Sequence, residues 1–146
     1  MKTEKEKMLS GEYFNPLDKE LSKERLAARK LLHELNHNPP ENLQQQKEIT
    51  RKLLPNSHKA TFIQPPFYCD YGYNIRTGKG VFFNFNCTLL DLAVIEIGEQ
   101  TMFGPNVQIY TAVHPTNAEK RATHIEKGKP IKIPMSIWNR YRKRTN

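Results

Sequence analysis

The sequence has no long apolar segment and very little cysteine, and these two absences exclude several classes of protein. Its 146 residues are 37% hydrophobic, with a mean hydropathy of −0.74. No apolar run approaches the roughly 20 residues needed to cross a bilayer, and the charged residues 1–7 do not resemble a signal peptide. Cys69 and Cys87 form neither a metal-binding spacing nor a disulfide framework. We therefore expect a cytoplasmic, single-domain protein without a metal site.

Positive charge is the strongest bias, with a formal net charge of +8 at pH 7. Residues 134–146 contain no acidic residue and hold half of that excess, as Arg140, Arg142, Lys143 and Arg144. Such a segment is more typical of a solvated chain end than of a specific nucleic-acid site. A non-enzymatic binding protein with a basic tail nevertheless stays open as an alternative.

Residues 1–58 have the pattern of a helical segment. Apolar residues recur at helical spacing between Leu21 and Asn36, and Ser22 is a suitable first-turn residue. The run Asn38-Pro39-Pro40 predicts the end of this helix. A second helix is predicted from about Glu41 to Leu54.

From Ala60 to Ile133 the composition changes to strand and turn residues, with an apolar residue at every sixth position. A six-residue unit predicts one flat face of a β-solenoid, in which three faces close a coil and apolar residues point inward. An ordinary antiparallel sheet with chance spacing is the alternative. The period runs in two registers: Ile75, Val81, Cys87 and Ala93, then Ile97, Phe103 and Ile109.

Several motifs together resemble one family, the maltose and galactoside O-acetyltransferases with their nodulation-factor relatives. The segments that carry the resemblance lie at residues 4–13, 31–38, 69–75, 84–91, 97–111, 114–115 and 128–131. They include Cys-Asp-Tyr-Gly-Tyr-Asn-Ile at 69–75 and Gly-Pro-Asn-Val at 104–107. The match spans residues 4–133 without obvious gaps. The chain is on this basis identified as a hexapeptide-repeat acyltransferase.

This resemblance implies a mainly β fold, an incomplete left-handed parallel β-helix preceded by a helical segment. Residues 1–58 would form the helical segment and residues 59–133 the first coils, with an active-site loop at 111–129. The implied activity transfers acetyl from acetyl-CoA to a sugar hydroxyl of maltose, glucose or galactoside type, in a homotrimer and without a metal or a specific nucleic-acid partner. His114 would be the general base, a role that suits imidazole near neutral pH.

The resemblance also implies residues that hold the sugar acceptor. Asp70 and Asn84 are the stronger candidates, whereas Asp91 and Asp18 are weaker ones. The alternative for Asn84 and Asp91 is a structural role in turns. Glu126 could orient His114, or it could be an ordinary loop residue. No chemical role is expected for the other histidines, and a structural or interface role is expected for Phe82, Phe83 and Phe85.

The segment after Ile133 departs from the family pattern, in which further hexapeptides follow. One extra base after the Trp138 codon would permit the expected text, Trp-Ile-Gly-Ile-Gly-Ser. We therefore expect an interrupted gene product that lacks the coils for coenzyme A, so that no donor-binding residue can be assigned. On that hypothesis acetyl transfer is weak or absent, and an inactive remnant is the alternative to an enzyme.

Overall fold

Three helices precede the first strand of the chain. The computed structural model describes residues 1–135, and it places α1 at Glu4–Leu9, α2 at Lys19–His37 and α3 at Leu43–Leu53. The predicted basic tail, residues 134–146, lies outside the described residues apart from its first two positions. None of the helices in the described part is long and apolar enough to cross a membrane.

Helix α2 begins earlier than the sequence pattern predicts. Its N-cap is Asp18, whose side chain accepts hydrogen bonds from the backbone N–H groups of Glu20 and Leu21 at 2.9 and 3.2 Å. A carboxylate at this position pairs otherwise unbonded donors of the first turn, so Asp18 and not Ser22 sets the start. The predicted end is close to the observed one, because α2 stops at His37, just before Asn38-Pro39-Pro40.

Helices α2 and α3 pack against each other and against the first strands. Their buried apolar residues join those of the strands in one core. Leu35 and Leu53 are almost fully buried there, next to the interior residues of the strands. Short amphipathic helices gain most of their stability from such packing, so the helical segment forms a cap on the strand region.

Eleven short strands are present in the described residues, and nine of them build three sheets. The first sheet contains β1 (Phe62–Ile63), β4 (Phe82–Phe83) and β7 (Met102–Phe103); the second contains β2 (Phe67–Cys69), β5 (Cys87–Leu90) and β8 (Gln108–Tyr110). The third contains β3 (Ile75–Thr77), β6 (Ile95–Ile97) and β11 (Ile131–Ile133). All pairs in these sheets are parallel, so the chain winds through three faces per coil. The alternative of an ordinary antiparallel sheet is therefore wrong.

Equivalent residues of adjacent coils lie 20 positions apart, as in the pairs of Phe62 with Phe82 and Phe82 with Met102. All seven residues of the predicted six-residue pattern are buried, with exposed fractions of 9% or less. The inward faces stack in rows, and the rings of Phe83 and Phe103 lie parallel with centroids 5.0 Å apart. The pattern therefore identified the interior correctly.

The change of register between Ala93 and Ile97 has a structural cause. Equivalent residues repeat every 20 positions, two more than three strict hexapeptides, and in the first coil the turn from the second to the third face, residues 70–74, is the longest of the three. A coil with one long turn contains more residues than three strict hexapeptides, so the six-residue count must restart after each such turn. In the third coil this turn is replaced by residues 111–130, which places Ile131 opposite Ile95, 36 positions earlier.

Gly72 is the tightest point of that long turn. It has a φ of +83°, and a Cβ atom there would lie 2.1 Å from the carbonyl oxygen of Leu53. Gly80 has a similar φ of +73°, but the nearest atom to its Cβ would be 3.7 Å away. The two glycines therefore separate the effect of backbone conformation from the effect of close approach to α3.

We expect Gly80→Ala to lower the free energy of unfolding by about 1–2 kcal/mol, because a side chain disfavours left-handed backbone. Gly72→Ala should lower it further, because the added methyl group also displaces the last turn of α3. Urea denaturation of both variants measures the difference. Equal losses in the two variants would show that contact between Gly72 and Leu53 does not constrain the fold.

Candidate active site

The segment that replaces the long turn of the third coil is an ordered hairpin with a short helix. Strands β9 (Ala112–Val113) and β10 (Lys127–Gly128) pair antiparallel, and α4 (Ala118–Ala122) lies between them. Thr111 joins the base of the hairpin to the coil, since its hydroxyl donates to Leu90 O at 2.6 Å and accepts from Ala93 N at 3.0 Å. The loop predicted at 111–129 is thus held at both ends.

His114 and Glu126 face each other across this hairpin. His114 follows β9 and Glu126 precedes β10, and His114 Nε2 lies 3.9 Å from Glu126 Oε2. The side chain of His114 is 60% exposed, whereas that of Glu126 is 17% exposed. The two side chains are close enough for their charges to interact, yet too far apart for a direct hydrogen bond. The imidazole is therefore open to a substrate, with a carboxylate behind it.

The N-terminal segment fixes the position of Glu126. The backbone N–H of Phe14 donates to Glu126 O at 3.0 Å, and Glu126 N–H donates to Phe14 O at 3.2 Å. Phe14 is 1% exposed and packs in a second apolar cluster with Met8, Leu21 and Tyr71. Burial raises the pKa of Glu126, and the charge of His114 opposes that shift. Glu126 is therefore a positioned residue and not a free loop side chain.

Asp70 directly follows β2 and begins the turn at residues 70–74. Burial raises the pKa of its carboxyl group, while Arg25 and Arg29 act in the opposite direction. Asp70 also acts electrostatically on Glu126, as does Arg25. Asp70 and His114 are thus both coupled electrostatically to Glu126, and carboxyl groups of this kind are suited to binding hydroxyl groups.

Arg25 is a further residue coupled to Asp70 and Glu126, and sequence reasoning missed it. Its Nη1 donates to Tyr71 Oη at 2.7 Å, and its Nη2 donates to the carbonyl oxygen of Pro16. A signal was present in the sequence, because Arg25 lies four residues after Leu21 and three before Ala28, on the buried stripe of α2. A charged residue on an apolar stripe indicates a buried polar partner.

Asp91 has a structural position, which favours the role in a turn that was the alternative to acceptor binding. It is 0% exposed, and its carboxylate accepts backbone N–H bonds from Asp70, Tyr71, Gly72 and Asn74 at 2.8–3.2 Å. Burial raises the pKa of Asp91 to about 7, although the backbone N–H groups act to lower it. Because all four bonds go to the turn that precedes β3, its oxygens have no capacity left for a sugar.

Asn84 and Asp18 belong to parts of the fold other than the hairpin that carries His114. Asn84 follows β4 at the corner between the first and second faces, and its Oδ1 accepts from Phe85 N at 2.8 Å. Asp18 caps α2, as described above, and remains partly exposed. Sugar binding by these two residues and by Asp70 stays a prediction.

The remaining predicted residues have clear positions. His33 and His37 lie on α2, and His58 and His124 lie outside helices and strands. Phe83 is a core residue with no exposed surface, whereas Phe82 is partly buried and Phe85 is 50% exposed. The described residues contain no group of three or more histidine, cysteine, aspartate or glutamate side chains that could hold a metal ion.

Comparisons with known proteins agree on one family. Residues 7–57 match the family model described as the maltose acetyltransferase hexapeptide capping motif. Nodulation protein L of Rhizobium meliloti (strain 1021) is 41% identical over 137 residues, which is 94% of this chain and 75% of that protein.

Solved structures extend this similarity to the fold. A maltose O-acetyltransferase from Clostridium difficile 630 superimposes with a TM-score of 0.86 at 43% identity, covering 88% of this chain and 69% of that one. A hexapeptide-repeat acetyltransferase from Vibrio cholerae O1 biovar eltor, complexed with acetyl coenzyme A, has a TM-score of 0.79 at 36% identity. That alignment covers 91% of this chain and 72% of the other.

We expect Asp91→Asn to lower the free energy of unfolding by about 1–3 kcal/mol. An asparagine retains one acceptor oxygen but points an N–H₂ group at two of the four backbone donors, which then lack partners. Asp70→Asn is the matched control, since it makes the same change in a neighbouring side chain that takes no part in these four bonds and keeps the backbone N–H of residue 70. Chemical denaturation compares the two, and similar stabilities would contradict the structural role of Asp91.

Proposed function

Since the chain belongs to the hexapeptide-repeat sugar O-acetyltransferases, the family of the maltose and galactoside enzymes, we propose that it transfers acetyl from acetyl-CoA to a sugar hydroxyl. The fold prediction of a left-handed parallel β-helix behind an N-terminal helical segment is confirmed by this membership. The observation that carries the proposed reaction is the pair of His114 and Glu126, with the imidazole exposed and the carboxylate mostly buried.

His114 acts as the general base in the proposed mechanism. A sugar hydroxyl is a poor nucleophile at neutral pH, so neutral imidazole accepts its proton as the oxygen attacks the thioester carbonyl carbon. The carbon–oxygen bond forms, the carbon–sulfur bond then breaks, and the imidazolium returns the proton to the departing thiolate. The acetylated sugar and free coenzyme A leave, with no covalent intermediate on the protein.

Glu126 acts through His114. Its carboxylate lies 3.9 Å from His114 Nε2, and most of its surface is buried. A negative charge at this distance stabilises the imidazolium that forms during proton transfer. We therefore assign Glu126 as a positioning residue whose own place depends on the bridge to Phe14.

Asp70, Asn84 and Asp18 are the proposed acceptor-binding residues. Carboxylate and amide groups suit a polyol, because each hydroxyl can donate one hydrogen bond and accept others. Asp70 has the strongest support, since it is coupled electrostatically to Glu126. Asn84 and Asp18 have the weaker support of position and side-chain type.

The active protein is proposed to be a homotrimer, in which the hairpin contributes to the site across a subunit boundary. An exposed apolar surface on the first face supports association: Met102 is 66% exposed and Phe85 50% exposed. Phe62 and Phe82 continue this surface with rings 5.9 Å apart. Apolar surface of this kind is typical of protein interfaces. The use of acetyl-CoA fits a cytoplasmic location.

Acetyl-CoA supplies the activated acetyl group as a co-substrate, and we propose no metal in the reaction. The exposed imidazole of His114 leaves space for a thioester to approach it.

The alternative of a basic-tailed binding protein depends on residues 134–146, most of which lie outside the described part of the chain. The geometry of residues 1–135 favours the enzyme.

We expect His114→Ala to lower kcat/KM for acetyl transfer by about 10²–10⁴-fold, because the variant lacks the base. Release of free coenzyme A from acetyl-CoA is measured with glucose, maltose and a galactoside as acceptors. His124→Asn is the matched control: it removes an imidazole from the same loop, and asparagine tolerates the φ of +60° at this position. Acceptor-dependent turnover that survives in His114→Ala would contradict the assignment.

Glu126→Gln should lower kcat/KM for acetyl transfer at neutral pH by about fivefold, because the variant lacks the charge that stabilises the imidazolium formed during proton transfer; two charges about 4 Å apart contribute on the order of 1 kcal/mol. Burial raises the pKa of Glu126, and its carboxylate is charged only above that pKa, so the loss should be present at neutral pH and should disappear in acid. The measurement is kcat/KM of wild type and variant across this pH range. Glu119→Gln in α4 is the control, and a kcat/KM of Glu126→Gln equal to that of the wild type at neutral pH would contradict the proposed coupling.

A further inference from the structure

We propose that His33 and His37 on α2 bind a divalent transition-metal ion of the kind that prefers imidazole ligands, with Cu²⁺ bound more tightly than Ni²⁺ or Zn²⁺. The two residues enclose the run His33-Glu34-Leu35-Asn36-His37. This inference differs from the expectation, drawn from the sequence, that neither histidine has a chemical role. It is independent of the proposed acetyl transfer.

The spacing of the two histidines places both imidazoles on one face of the helix. They are four residues apart within α2, and side chains at this spacing are neighbours on a helix surface. The ring centroids lie 4.1 Å apart, and the ring planes are tilted by 34°. Two nitrogens that share one ion at about 2.0–2.1 Å lie about 3 Å from each other. Small rotations of the two side chains therefore bring one nitrogen of each ring to a common ion.

A hydrogen bond orients the ring of His37 and leaves one of its nitrogens available. Nδ1 of His37 lies 2.8 Å from the carbonyl oxygen of His33. Because a carbonyl oxygen only accepts, Nδ1 carries the proton of the neutral ring and Nε2 carries the lone pair. Histidines that bind metals commonly donate their other N–H to a backbone carbonyl in this way. Both residues are exposed, so an ion can reach them from solvent.

The charges around the pair act in both directions. His37 is the last residue of α2, where backbone carbonyl groups carry a partial negative charge that favours a cation. Arg29 lines the same surface cleft as the histidines, together with Tyr68 of β2, and its charge opposes a cation. Arg29 also interacts with the carboxyl group of Asp70. The imidazole nitrogens, rather than a net negative charge, therefore determine which ion binds.

The donor atoms indicate the class of ion. Mg²⁺ and Ca²⁺ require oxygen ligands, so two imidazoles do not suit them. The run His-Glu-x-x-His also occurs in zinc proteases, where a further protein ligand completes the site. Within residues 1–135, no group of three or more histidine, cysteine, aspartate or glutamate side chains forms such a set. The pair by itself therefore supports binding of an ion and not peptide hydrolysis.

Calorimetric titration of the full chain with Ni²⁺ tests the site, in a buffer that does not bind metals and with Mg²⁺ as the control ion. His33→Gln and His37→Gln each remove one ligand. A double variant, Glu34→His with His37→Gln, keeps two histidines but places them on different faces of α2. His124→Asn is the matched control, because it removes an exposed imidazole from the hairpin and not from the pair.

We expect the wild type and His124→Asn to bind one equivalent of Ni²⁺ with equal affinity. His33→Gln, His37→Gln and the double variant should bind at least about tenfold more weakly, because the second ligand of a pair on one face binds intramolecularly. Ni²⁺ at about 100 times its Kd should raise the unfolding temperature of the wild type by about 5–10 °C, and that of the single variants much less. Mg²⁺ should have no effect.

Electron paramagnetic resonance of bound Cu²⁺ identifies the ligands directly. The spectrum should show two coordinated imidazole nitrogens in the wild type and one in His33→Gln or His37→Gln. A wild type that binds neither ion, or single variants that bind both ions as tightly as the wild type, would overturn the site. Unfolding without metal confirms that every variant folds. None of these measurements requires acetyl transfer, so their outcome is separate from that of His114→Ala.

Discussion

The buried carboxylate of Asp91 is the interaction on which the rest of the structure depends. It accepts four backbone N–H bonds from the turn at residues 70–74, and Asn74 Nδ2 donates back to the carbonyl oxygen of Asp91 at 2.8 Å. These bonds connect two successive coils at their longest turn. They satisfy backbone groups that would otherwise be buried without partners, and they allow Gly72 to approach α3 closely. The helical cap and the solenoid are therefore joined at this turn.

The same turn also contains or contacts residues of the candidate site. Asp70 begins the turn, and Tyr71 accepts a hydrogen bond from Arg25 of α2. The hairpin that carries His114 occupies the equivalent place two coils later, and the bridge between Phe14 and Glu126 joins it to the N-terminal segment. The helical segment is thus linked to the candidate site as well as capping the coils, since Arg25 bonds to Tyr71 of the turn and Phe14 bonds to Glu126, the neighbour of the proposed base.

The solenoid separates two parts of the proposed acceptor site. Asn84 lies at the corner after the first face, whereas Asp70 and His114 lie after the second. A single coil keeps its corners apart, because each face is a straight strand with side chains that fill the interior. Within one chain, Asn84 is therefore held away from the hairpin that carries His114.

The sequence by itself determined the family, the class of fold and the interior positions of the coils. Apolar residues at a short fixed spacing must point inward when strands are only two to four residues long, so local pattern and burial coincide. The motifs around residues 69–75 and 104–115 likewise indicated the family, and the family resemblance pointed to His114 as the proposed base. Both kinds of information are local, and local patterns are visible in a single chain.

Only the tertiary structure decided the positions and partners of Asp91, Arg25 and Glu126. Asp91 has a side chain as suitable for a sugar as Asp70, but it is fully buried and its oxygens are used by residues 17–21 positions away. Arg25 meets Tyr71 across 46 positions, and Glu126 meets Phe14 across a still longer separation. Partners so distant along the chain leave no periodic signal, because their contact depends on how the helices and coils pack.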